Sequence, residues 1–411
     1  MIGPRRAQSP ADSALQPAAM NANGVSPPQD ASSGPMNAND GAQSAPARDS
    51  FLDVLRAVSI CRVVLLHTLL RPPTVYLPWV MWIYPGMPEV FFVSGAVTAQ
   101  MLSRRRAGEV VVRRIRRIAL PYAWFAACAL FVMITTDVRS DDSGASFPWT
   151  RVWHWAVPLL APTGSRDRVF LWGQLWYVGA FLWLVLAAAG LLWLHRRVGA
   201  WCALVPLAGF ACTQWLTKIH GVVVDEAIIT AFQFGIFFAL GPSYAHIRQW
   251  RSRSLVALGC VFAGSGALTA FVIEPIRDKG TQELYASRSA HLLIGAAWML
   301  LALAARAPIE RWIERRRGAV NAVVGRINQR TFTLYLWGLP ANAVANSVSR
   351  RIDGQLLRLV AYLGTTAVVL LAFVVCFGQL EDIAARRRRR WLPLGATGGQ
   401  AEVSAVGVAS P

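Results

Sequence analysis

Ten runs of about 18 to 25 mostly apolar residues, separated by charged or proline-bearing breaks, leave this chain one class of fold. A run of that length crosses a hydrocarbon core as a helix, because in lipid every backbone N–H and C=O must be satisfied within the segment. The runs fall at about 51–70, 77–102, 118–136, 173–194, 200–217, 227–246, 255–273, 289–305, 331–349 and 356–379. The expected fold is all-α, a polytopic membrane bundle of about ten transmembrane helices. Of the 411 residues, 55% are apolar and 15% charged. Soluble domains carry about 25% charge, so an ordinary soluble domain is excluded.

The net charge is +19, from 41 Lys and Arg against 22 Asp and Glu. A basic excess of this size is compatible with nucleic acid, but here the arginines sit between apolar runs, where anionic lipid and the positive-inside rule account for them. Nucleic acid is therefore discounted as a partner, and membrane lipids are expected. Alternate loops carry 24 and 12 basic residues, which with an even number of spans places both termini in the cytoplasm. All the basic residues but Lys218 and Lys279 are arginine, the bias of a GC-rich bacterial genome, so the bacterial inner membrane is the expected location. Residues 1–49, rich in Ala, Pro, Ser and Asn, read as a disordered cytoplasmic tail. They have no early apolar core of a signal peptide, so the first span is expected to direct insertion. Residues 50–385 form the membrane domain, and 386–411 are a basic, then flexible tail, its run Arg386 to Arg390 read as an anchor. Between spans, Pro148, Trp149, Trp153 and Trp155 suggest a short segment lying at the interface.

Ionisable residues inside a membrane bundle are costly and mark functional sites by default. The first span, FLDVLRAVSICRVVLLHTLL, holds Asp53, Arg56, Arg62 and His67. At 100° per residue, the eleven residues from Arg56 to His67 close to within about 20° of three full turns and rise about 16 Å. These two residues therefore share a face, with Ile60 and Val63 between them, while Arg62 points about 120° away. Two roles fit His67: a structural histidine bonding a neighbouring helix, or a general base towards a hydroxyl. The other histidines, His154, His195, His220, His246 and His291, fall in loops or at span ends, where solvated or interfacial roles are expected.

The second span contains YPGMPEVFFVSGAV, in which Pro85, Gly86 and Pro88 interrupt the helix ahead of Glu89, Ser94 and Gly95. Broken backbone at membrane depth is tolerated where it lines a cavity or where a proline kink is packed by neighbours. The basic segment SRRRAGEVVVRRIRRIALPYAW follows. Its arginines serve as a topology signal, yet Arg113, Arg114, Arg116 and Arg117 also recur at helical spacings that make one cluster, a set of guanidinium forks suited to a polyphosphate. The six cysteines lie within apolar stretches without metal-ligand spacing, so neither a disulfide frame nor a metal site is expected.

With these residues in view, the chain resembles the integral-membrane acyltransferase family 3, which includes bacterial O-antigen and exopolysaccharide O-acetyltransferases. The likeness rests on Arg56 and His67 in the first span and on Phe91, Phe92, Ser94 and Gly95 as the FFxxSG segment. It is extended by Arg114, Arg117, Pro121 and Tyr122 opening the third span, and by Leu175, Trp176 and Tyr177 in a middle span. The chain departs from the pattern where Trp337 and Gly338 follow the Tyr-Leu pair of the ninth span and where Ala96 follows Gly95. The resemblance implies transfer of an acyl group, acetyl first among them, from cytoplasmic acyl-CoA to a hydroxyl. The acceptor would be an envelope glycan, a lipid-linked sugar or a small hydroxylated molecule. On that model His67 and Arg56 are catalytic, Arg113, Arg114, Arg116 and Arg117 bind the donor, and Glu89, Ser94, Gly95, Trp176 and Tyr177 line the cavity. Ser94 or the backbone near Gly95 would supply an oxyanion donor. A transporter or flippase of an envelope lipid or metabolite is the alternative, and would call for inverted repeats and further broken helices.

Overall fold

The computed structural model describes residues 49–69, 83–137, 149–165, 168–273 and 287–388. Among them there is no β-strand, and helix accounts for most residues. In chain order the α-helices are α1 (Ser50–Leu69), α2 (Met87–Leu102), α3 (Ala107–Asp137), α4 (Trp153–Ala156), α5 (Val169–Trp172), α6 (Trp176–Val198), α7 (Leu204–His220), α8 (Glu226–Leu240), α9 (Tyr244–Ile247) and α10 (Ser252–Leu268). They continue with α11 (Arg288–Ala304), α12 (Arg306–Arg315), α13 (Arg317–Gln329), α14 (Thr331–Ser349), α15 (Gln355–Phe377) and α16 (Gln379–Ala384).

Every expected apolar run holds a helix, but the bounds differ for physical reasons. α3 starts at Ala107 rather than near 118, because arginine, though a break in hydropathy, is a good helix former. Arg113 to Arg117 therefore stand on the helix instead of in a loop. α2 starts only at Met87, where Gly86 (φ 84°) turns the chain and Pro88 occupies the first turn. The basic stretch 306–330, which lies between the apolar runs 289–305 and 331–349 and reads by hydropathy as a loop, is the helix pair α12 and α13, and its last arginine, Arg330, is buried against Asp382. His154 is buried rather than solvated, and so is Trp155, whose Nε1 donates to the Thr163 carbonyl at 2.9 Å. Trp149 and Trp153 are exposed. Pro148, nearly all of the N-terminal tail and the end of the C-terminal tail lie outside the described residues.

Among the described residues, five helical stretches are long and apolar enough to cross a membrane: Ala107–Thr136, Val169–His220, Glu226–Ile247, Ser252–Ile273 and Gln355–Ala384. The pair Arg288–Ala304 and Arg306–Arg315, bent by 54°, makes a sixth. α1 carries three charges, Asp53, Arg56 and Arg62, and α2 has 16 residues, so neither qualifies on composition or length alone. The protein is an all-helical, multi-pass membrane protein.

α2 is the pillar of the core. It packs on α1 and on α8, which also takes α6 and α7 along its length. Phe91 stacks face to face on Phe234 of α8, centroids 5.1 Å apart, and meets Tyr177 of α6 edge-on at 5.3 Å. Gly95 permits the α2–α8 approach, since a Cβ there would penetrate the Phe238 carbonyl. α1 lies between α2 and α14. α14 pairs with α15, α10 with α11, and the terminal α16 returns to α3.

Candidate functional site

α1 is held at both ends, which sets the direction of its polar face. Asp49 Oδ1 accepts from the Phe51 and Leu52 amides at 3.0 and 3.2 Å, a side-chain cap, while its Oδ2 accepts from the Tyr244 hydroxyl at 2.9 Å. Asn328 Nδ2 donates to the Asp53 carbonyl at 2.9 Å. At the far end Thr68 donates to Asn342 Oδ1 at 3.0 Å, tying α1 to α14 near Pro340. Ser59 shares a 2.9 Å bond with Tyr84 in the segment preceding α2, and Arg62 Nε donates to the Ile83 carbonyl at 2.9 Å.

The α1 face carrying Arg56, Ile60, Val63 and His67 opens onto two cavities. The first is an open cleft that takes Arg56 and Ile60 as lining, with Arg113, Arg114 and Arg117 of α3. Four arginines face one carboxylate there, Glu381, whose Oε1 is committed to the backbone N–H and hydroxyl of Thr333 at 2.7 and 2.5 Å. Arg113 and Arg117 are exposed at the cavity's edge, and Arg114 is half-buried. Arg114 lies over the Phe181 ring at 5.9 Å, and its Nε is buried without a hydrogen-bond partner. An unsatisfied guanidinium donor in a cluster of like charges suits an anionic ligand.

The second cavity, also open on one side, takes the other half of the face, Val63 and His67. Its wall includes Pro85 and Met87, so the broken start of the second span does line a cavity. Opposite stand Trp176, Gln233, Glu226, Arg288 and a second histidine, His291. Glu226 and Arg288 form a bidentate pair, Nη1 to Oε1 at 2.9 Å and Nη2 to Oε2 at 2.5 Å. Both sit in the first turns of their helices. Asp225 caps α8 through the Ala227 amide at 2.8 Å and holds the Ala161 amide at 3.0 Å, and Ser287 caps α11 through the Ala290 amide at 3.1 Å. Gln233 Nε2 then donates to the Arg288 carbonyl at 3.2 Å.

Tyr335 of α14 belongs to both cavities. Its hydroxyl donates to the Gln174 carbonyl, and its ring lies 4.7 Å from that of Tyr177. It is the side chain between the arginine chamber and the histidine chamber.

Of the residues singled out in the sequence, Arg56, Arg113, Arg114, Arg117, Ser94 and Tyr177 meet in the first cavity, and His67 and Trp176 in the second. Arg116 turns away, with Nε donating to the Ala384 carbonyl at 3.1 Å. Glu89 lines neither cavity. It is fully buried, its carboxylate facing the backbone N–H groups at the start of α2, with Arg62 near enough to interact electrostatically. Gly95 is taken up by helix packing, which leaves Ser94 as the polar group of that segment facing a cavity. Trp337, at the departure noted above, stacks on Phe377 at 4.3 Å and packs against Phe373 and Phe125. Sequence reasoning missed Tyr335, Glu226, Arg288 and Glu381, and assigned His291 to an interfacial role. Period and hydropathy give no signal for them, because each acquires its role from a different helix.

No curated protein and no solved structure matches the chain. The family model described as an acyltransferase domain, acyltransferase family 3, matches residues 49–378, which include α1 to α15 and all the cavity residues named above except Glu381. The chain belongs to that family and is a membrane acyltransferase.

Proposed function

We propose that the protein is an O-acyltransferase of the bacterial inner membrane, with ten spans and both termini cytoplasmic. It takes an acyl group, acetyl being the simplest, from acyl-CoA and gives it to a hydroxyl of an envelope glycan or a small hydroxylated acceptor. The observation that carries this reading is the single α1 face that presents Arg56 to one cavity and His67 to another, with Tyr335 between.

The arginine chamber is suited to the phosphates of coenzyme A, since four guanidinium groups against one carboxylate favour a polyanion. Phosphates held near Arg113, Arg114 and Arg117 leave the pantetheine arm free to run along the α1 face towards Tyr335. In the second chamber His67 Nδ1 or Nε2 takes the proton of the acceptor hydroxyl as its oxygen attacks the thioester carbonyl. The C–O bond forms, the C–S bond breaks, and the leaving thiolate receives that proton back from the imidazolium. Ser94 is a candidate donor to the developing oxyanion from the donor side.

The test is transfer from radiolabelled acetyl-CoA in purified membranes with a host-envelope extract, comparing wild type with His67→Ala and Arg117→Ala at matched expression. Loss of transfer in both variants is the expected result. Full turnover in His67→Ala removes the base from the mechanism and leaves a histidine that holds helices together.

A further inference from the structure

The two chambers differ in charge, and that difference carries a statement about the acceptor. In the first, four arginines face one carboxylate. Among the described lining residues of the second, the one arginine, Arg288, is matched by the one carboxylate, Glu226, through two parallel bonds. The pair is accessible, with side chains 29% and 41% exposed, so it meets whatever occupies the chamber. Around it stand groups that bind uncharged polar surface: the Gln233 amide, His291, and the Trp176 indole, stacked on Phe234 at 5.8 Å.

The geometry points to the second chamber as the acceptor subsite, built for an uncharged polyhydroxylated ring, with the Glu226–Arg288 pair as its charge filter. The inference rests on the acyl-transfer reading for the word acceptor, but its charge rule stands on the chamber alone. A neutral sugar ring offers hydroxyls that can accept from the outer guanidinium N–H groups and donate to Glu226 without separating the pair, and a flat apolar face for the indole. An anionic sugar must either compete with Glu226 for Arg288 or sit beside the Glu226 carboxylate, and both arrangements cost free energy. The filter is thus local: Glu226 holds Arg288 closed to anions. The inference also gives His291 a place, in the lining of the same chamber as His67.

The probes are methyl glucoside and methyl glucuronide, alike in ring shape and different by one carboxylate, bound to the full-length protein in nanodiscs and read by saturation-transfer NMR. CoA binding is measured on the same samples. Wild type is expected to bind the glucoside and to discriminate against the glucuronide by roughly tenfold. Glu226→Gln frees Arg288 and should reverse the preference, and the double variant Glu226→Gln with Arg288→Gln should abolish that reversal. CoA binding equal to wild type shows that each variant is folded. Glucuronide bound as well as glucoside by wild type, no glucoside binding, or an unchanged preference in Glu226→Gln overturns the assignment. If CoA binds while the glucoside rule fails, the acceptor assignment alone is lost. If the glucoside rule holds and CoA does not bind, it is the donor reading that falls.

Discussion

Arg56 and His67 stand on one face of α1, eleven residues and about 16 Å apart along the axis, yet they line different cavities. One helix therefore connects a chamber that attracts anions with a chamber that holds an imidazole. An acyl donor with a charged head and a long neutral arm matches that division, since only the reactive end has to reach the histidine.

Replacing His67 with Ala should lower acyl transfer by about 10²- to 10⁴-fold, the usual contribution of a positioned base, with CoA affinity unchanged. Single-turnover transfer and equilibrium CoA binding on the same preparation separate the two. A matched loss of both would make His67 a structural residue.

The arginines of α3 should divide by direction rather than by position. Arg114→Ala removes a buried, unsatisfied donor from the first cavity and should raise the KM for acyl-CoA about tenfold or more, the cost of a charge-assisted bond. Arg116→Ala removes a bond to the Ala384 carbonyl and should leave that KM near wild type while costing about 1 kcal/mol of stability. Kinetics with varied acyl-CoA and thermal denaturation in nanodiscs check both.

Tyr335 lines both chambers and is fixed through its hydroxyl to the Gln174 carbonyl. Tyr335→Phe keeps the ring and should lose a fewfold in rate. Tyr335→Ala widens the passage between the cavities and admits water to the thioester, so thiol release without acceptor should exceed that of wild type. Thiol detection in acceptor-free membranes reads the difference, and unchanged release would show that the ring is no partition.

Gly95 should tolerate no side chain. A Cβ there would meet the Phe238 carbonyl far inside contact distance, and forcing α2 from α8 should cost about 1–3 kcal/mol. Gly95→Ala is expected to lower the melting temperature, whereas Ser94→Ala, which faces the first cavity, should leave it near wild type.

Much of this protein is written locally. An apolar run of span length must become a helix because lipid offers its backbone no other partner, and each of the ten runs holds one. The shared face of Arg56 and His67 follows from helical period alone, as does the clustering of Arg113, Arg114 and Arg117. Hydropathy misplaced the start of α3 because it reads arginine as an interruption, whereas the backbone reads it as helix former.

What period and composition cannot reach is any relation between helices. Glu226 and Arg288 are 62 residues apart in sequence, and Tyr335 and Gln174 are 161. Nothing near either member of a pair indicates the other. Arg116 looked equivalent to Arg114 until α16 returned to α3 and its Ala384 carbonyl took the Arg116 side chain. Sequence by itself determined the helices, the membrane and the polar face of α1, since those depend on each segment's own free energy in lipid. The division of that face between one cationic and one charge-balanced chamber was decided by tertiary structure, because it depends on which helices pack beside it and which charges they bring.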